Sequence, residues 1–180
     1  MHRVLSLASG TALILLAACQ PSKPVLLSAA DSTAITKVRT DYIAAWNAGK
    51  VDALLALFTS DAELQGPGSP AVKGTDALRT YFNNTLGTPT RPTIDIKQGK
   101  LVGRQDLAVA AGTYTLTPPT PPPPAKGAAP APPAPIAAKY LSVAMRQTDG
   151  TWKISFQATS ADAPPAPPPA PAKPARRRGR

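Results

Sequence analysis

The stretch DYIAAWNAGK, Asp41 to Lys50, sets two aromatic side chains, Tyr42 and Trp46, four residues apart. In a helix that spacing puts both on one face. A tyrosine hydroxyl there can donate to a polar group on a ligand; a buried one otherwise finds backbone or water. The pair therefore either lines a pocket or fastens a helix to its neighbours. Few groups are present to react beside them. The only histidine is His2 and the only cysteine is Cys19. Beyond the N-terminal segment the chain thus lacks the commonest general base and the commonest zinc ligand. It carries no GxSxG, P-loop or GxGxxG motif. No metal and no cofactor is expected.

Most carboxylates have structural work. Asp31, Asp52 and Asp76 fall at predicted helix starts, where negative charge suits the dipole. Asp61, Asp106 and Asp149 fall in predicted turns. Within predicted strands the carboxylates are Glu63 and Asp95. A strand carboxylate is either a solvated side chain or a candidate for proton transfer.

The elements that would position these residues follow from periodicity. A first helix is predicted from about Ser32 to Asn47, capped by Asp31 or Ser32. Ile35, Val38, Tyr42, Ala45 and Trp46 make its apolar stripe, and Gly49 suits its C-terminal turn. A short helix over Val51 to Phe58 is apolar nearly all round and should be buried. Ala62 to Gln65 reads as a short strand before the turn GPGSP. Gly74 or Thr75 caps a third helix with Leu78, Tyr81, Phe82 and Leu86 inward. Strands are predicted over Thr93 to Leu101, Leu107 to Thr117 and Ile136 to Gln147. After the turn TDG comes a further strand, TWKISFQATS, in which Trp152, Ile154, Phe156 and Ala158 alternate onto one face. Helices followed by antiparallel strands give an α+β fold.

Composition divides the 180 residues into regions. His2 and Arg3 precede an apolar run, Val4 to Ala18, shorter than the roughly 20 residues of a spanning helix. This reads as a signal peptide over residues 1–18. Residues 19–30 form a tether, and residues 31–162 carry the periodic segments of one domain. Inside it, residues 118–135 hold ten of the 23 prolines. Proline cannot join a ladder or a helix interior. The insert should sample extended conformers of roughly 55 Å contour, at about 3.1 Å per residue. It reads as a long hairpin loop. Residues 163–180 are a Pro/Ala tract ending in Arg176, Arg177, Arg178 and Arg180, expected to stay disordered.

The formal charge of +10 is uneven. Residues 31–162 hold 13 Lys and Arg against 10 Asp and Glu, a net of +3. The excess basicity belongs largely to the tail, which could engage an anionic envelope surface. The domain has no basic stripe with interleaved aromatics, so nucleic acid is not an expected partner.

Two resemblances sharpen this reading. LAAC, Leu16 to Cys19, resembles the lipobox of bacterial lipoproteins. That likeness implies cleavage before Cys19, lipidation of Cys19 and anchoring to a membrane. Gln20 in the next position implies the outer membrane, facing the periplasm. The domain segments YIAAWNAGKVDALLALFTSDAELQGPG, VKGTDALRTYF and DGTWKISFQATS resemble the SnoaL-like, nuclear transport factor 2-like superfamily, which includes the ketosteroid isomerases. The likeness covers roughly Asp31 to Ser160 without the proline insert. It implies a cone: three N-terminal helices packed in a curved antiparallel sheet, with a pocket between, and a homodimer formed through the sheet. Tyr42 matches the tyrosine of the isomerases. Their base falls on Gly66, which has no side chain, and YLSVAMR, Tyr140 to Arg146, offers no acid for their third group.

The expectation is therefore a lipid-anchored domain that binds a small apolar ligand without catalysis. Tyr42, Trp46, Phe58, Tyr81, Tyr114, Tyr140 and Trp152 are its candidate pocket residues. The alternatives are an isomerase- or cyclase-like acid–base enzyme using Tyr42 and Glu63, near the lost base, and a structural envelope protein acting through its proline-rich arms and basic tail.

Overall fold

The computed structural model describes residues 26–88, 90–119 and 133–162. Cys19, most of the proline insert and the arginine tail lie outside them. No helix among the described residues is long and apolar enough to cross a membrane.

The first helix, α1, spans Ala29–Ala48. It starts earlier than the sequence suggests because Ser28, not Asp31 or Ser32, is its cap. The Asp31 N–H donates to Ser28 Oγ at 3.0 Å, and the Asp31 carboxylate accepts from Ser28 in return. This reciprocal box satisfies two otherwise orphaned donors. At the other end Gly49 adopts φ 67°, and the Gly49 and Lys50 N–H groups close the last carbonyls. A side chain would strain that left-handed turn.

The second helix, α2, covers Val51–Leu55 and is shorter than expected. Phe58 belongs instead to strand β1, Phe58–Gln65. The Leu57 carbonyl already accepts from Ile154 N at 2.8 Å, so sheet pairing captures the chain before the helix can continue. A two-residue strand, β2, Val72–Lys73, has no sequence signal of its own and pairs beside β1. Helix α3, Thr75–Leu86, follows Gly74. Strands β3 (Thr93–Arg104), β4 (Leu107–Thr117), β5 (Ile136–Arg146) and β6 (Trp152–Ala161) complete the chain.

The six strands form one sheet in the order β2-β1-β6-β5-β4-β3. Every pairing is antiparallel except β1 with β6, which is parallel. Leu116 lies opposite Ile136, so residues 118–135 connect adjacent antiparallel strands. The three helices pack on one face of this curved α+β sheet.

One strand corrects the expected alternation. Val143 pairs Phe156 and Ala144 pairs Ile154, so Ser155 is an extra residue, a bulge, in β6. The bulge reverses the phase. Trp152 and Ile154 are buried, but the next buried side chain is Gln157, not Phe156. Phe156 and Ala158 therefore leave the face they were expected to share with Trp152 and Ile154.

Candidate functional site

The aromatic residues separate into two populations. Trp46, Phe58 and Phe82 are buried in the main core with Tyr42. Phe82 is 5.7 Å from Phe58 and 6.2 Å from Trp46 between ring centroids, and Tyr81 stacks edge-on at 5.3 Å. Tyr81 and Tyr114 pack partly buried against the same cluster. Trp46 also donates its indole N–H to the Pro92 carbonyl at 3.0 Å. Trp152 belongs to a second cluster with Ile35, Ala108 and Ala144, and donates to Asp31 Oδ1 at 3.2 Å. Trp46, Phe58, Tyr81, Tyr114 and Trp152 are therefore packing residues rather than the pocket lining expected of them. Ring pairs at these separations favour close packing over an open cavity.

A pocket does lie between α1 and the inner face of the sheet. Ile35, Val38, Arg39 and Tyr42 line it from α1, and Ile96, Ala110, Tyr140 and Ala144 from the strands. Ile154 and Gln157 close it from β6. Its volume is about 40 Å³. That holds a few water-sized groups, far below the several hundred Å³ typical of sites for drug-sized ligands. Of the expected pocket residues, Tyr42 and Tyr140 reach it.

The helix supplies its share by spacing alone. Residues 35, 38, 39 and 42 fall within one face of α1, so Arg39 rides beside Tyr42. Arg39 escapes a search for aromatic or acidic chemistry, although its position on the apolar stripe is visible in the sequence. Gln157 enters through the β6 bulge, which the sequence does not announce. Tyr140 is placed by β4. It sits opposite Gly112, and a Cβ there would collide with the Lys97 carbonyl and come within 3.0 Å of the Tyr140 ring. The glycine leaves the ring room to lie against the strand.

The pocket's polar groups are of unequal status. Burial pushes the Tyr42 hydroxyl well above the usual phenol range; the neighbouring Tyr81 adds to this, and the Gln157 amide beside it pulls back. Tyr42 therefore stays protonated, a donor rather than a base. Burial also raises Tyr140, against the nearby Arg39 charge. Arg39 Nε and Tyr140 Oη are both buried without a hydrogen-bond partner.

Glu63 is elsewhere. It sits in β1 opposite Phe156, on the outer face, while its neighbour Leu64 faces inward opposite Gln157. Its carboxylate pairs with Lys73 at 2.9 Å and accepts from Gln65 at 2.7 Å. The Gln65 and Lys73 bonds hold it below the usual carboxylate range. The expected catalytic pair of Tyr42 and Glu63 is thus split across the sheet. Gly66 leaves open space where a side chain would stand. Asp95 is exposed on β3. The lining carries no carboxylate. No cluster of potential metal ligands occurs among the described residues.

The same architecture occurs in solved proteins. A ketosteroid isomerase-like protein from Erwinia carotovora atroseptica is 24% identical, with a TM-score of 0.59, covering 73% of this chain and 96% of its own. A protein of unknown function with a cystatin-like fold from Nostoc punctiforme is 22% identical, with a TM-score of 0.60, covering 76% and 94%. A nuclear transport factor 2-like protein from Shewanella oneidensis is 14% identical, with a TM-score of 0.59, covering 72% and 98%. These likenesses establish the fold. The model of the SnoaL-like domain matches residues 40–154, from within α1 into β6. With well over half of its residues matched, the chain belongs to the SnoaL-like domain family.

Proposed function

We propose that this SnoaL-like domain is a non-catalytic binding module for a compact, mainly apolar ligand. One observation carries the reading: the pocket between α1 and the sheet has aliphatic walls and polar side chains that donate, with no carboxylate or imidazole among its lining residues. Such a surface gains from excluding water around an apolar body. It has no group of suitable pKa to move a proton at neutral pH, because Tyr42 is held protonated. The small volume selects a short ligand, or one short portion of a longer one that projects through the mouth.

The test is a titration with 1-hexanol followed by tryptophan fluorescence. The expected result is a saturable change that Ala110→Leu weakens at least tenfold, since the added carbons enter the same space. A linear, unsaturable response overturns the proposal.

The domain is further proposed to be held at the bacterial envelope by lipid on Cys19, at the outer membrane facing the periplasm. Each buried acyl CH₂ would contribute about 0.8 kcal/mol. Arg176, Arg177, Arg178 and Arg180 would add contact with anionic surface groups, and two copies would pair through their sheets. Cys19→Ala should release the protein into the soluble fraction; retention of that variant with the membranes would contradict the anchor.

A further inference from the structure

We propose that Arg39 and Tyr140 form a receptor for the head of an organic monoanion, a carboxylate carried on a short apolar body. This rests on the binding reading above and assigns the ligand's chemistry. Both side chains line the same pocket of about 40 Å³. Tyr140 is only 9% exposed, yet its hydroxyl has no hydrogen-bond partner, and neither has the buried Nε of Arg39. Buried donors left unpaired are costly, and a fold retains few of them. Two of them, carried by side chains that line one cavity, mark the place where an acceptor belongs.

Charge selects the acceptor. Arg39 is the one charged side chain among the lining residues, and it makes none of the ion pairs found among the described residues. Its partner is therefore not a carboxylate of the described fold. A single ligand charge neutralises it; a dianion would bring a second, uncompensated charge into a largely apolar site. A carboxylate also matches the planar guanidinium and leaves an oxygen for the phenol hydroxyl. Ile35, Val38, Ala110 and Ala144 supply the apolar wall for the attached body. The site lacks an acidic group that would repel the anion.

The test uses the full-length chain and four six-carbon probes: hexanoate, 1-hexanol, hexylamine and hexyl phosphate. Affinities are measured by calorimetry near pH 7. Hexanoate should bind at least tenfold more tightly than 1-hexanol and hexylamine, and more tightly than hexyl phosphate. Arg39→Gln should abolish the preference for hexanoate over the alcohol, and Tyr140→Phe should reduce it several-fold. Hexanoate binding no tighter than 1-hexanol, or a preference untouched by both variants, would overturn the receptor while leaving the apolar pocket intact. Tighter binding of hexyl phosphate would overturn the monoanion assignment. Failure of all four probes would remove the receptor and the binding reading together. If Arg39→Gln does not fold, Tyr140→Phe decides by the same ratio.

Discussion

At the scale of single residues, the molecule distinguishes side chains that pack from side chains that wait for a partner. Phe82 is fully buried against Trp46, Phe58 and Tyr81. Phe82→Ala should cost about 3–5 kcal/mol, read as a lower urea midpoint. Asp31 holds a second junction: its carboxylate accepts from Ser28 and from the Trp152 indole and lies 3.9 Å from the Arg146 guanidinium. The Ser28 bond first, then the Trp152 bond, lower its pKa from the ordinary value. A carboxylate depressed in the folded state stabilises above its unfolded pKa of about 3.9 and loses that contribution as pH falls through the folded value. Asp31→Asn should therefore lower Tm at pH 7, with the difference shrinking once the pH drops below about 4. A Tm gap that persists unchanged into acid would show that charge is not the cause. Tyr42 was legible in the sequence as a helix residue of pocket type, and it does line the pocket. Arg39 was not, because its importance depends on meeting Tyr140 from a distant strand. Trp46 and Trp152 look like pocket aromatics by type alone; only their hydrogen bonds to Pro92 and Asp31 identify them as fasteners.

At the scale of elements, α1 is the part that decides where the pocket lies, and Asn47 decides where α1 lies. Asn47 Nδ2 donates to the Ile94 carbonyl at 3.0 Å, and Asn47 Oδ1 accepts from Ile94 N–H at 2.8 Å. β3 is an edge strand of the sheet, so the amide completes pairing that no further strand supplies. Asn47→Ala leaves both backbone groups without that partner and should cost about 2 kcal/mol. It should also speed amide exchange at Ile94; unaltered exchange there would contradict the fastening role. The end of α1, the turn at Gly49 and β4 were readable from glycine and alternation, whereas the start of α1 at Ser28 was not. The end of α2 and the phase of β6 were not. The first is set where Leu57 pairs with Ile154, which competes with local preference, and the second by the bulge at Ser155 opposite β5. Gln157 reaches the pocket only because that bulge turns it inward.

At the scale of the whole molecule, one sheet carries the pocket on its inner face and exposed apolar side chains on its outer face. Leu107, Leu141 and Met145 are 44%, 42% and 43% exposed there. The proline-rich connection of 18 residues joins β4 to β5, whose pairing runs in continuous register from Leu107 to Leu116. Closing a connection costs chain entropy that rises with the logarithm of its length. Replacing residues 118–135 by a four-residue turn should therefore stabilise the domain by about 1 kcal/mol. A lower denaturation midpoint after that replacement would mean the insert contributes to the fold. The α+β order and the family likeness were legible because helical and strand periods are local. The small volume of the pocket and the loss of Glu63 to the outer face were not, because they depend on how the sheet curves and registers. The most direct test of the account is methyl NMR of the protein titrated with 1-hexanol. Saturable shifts should appear at Ile35, Val38, Ala110, Ala144 and Ile154 around the pocket. Absence of saturable shifts, or shifts confined to Leu107, Leu141 and Met145 on the outer face, would contradict it.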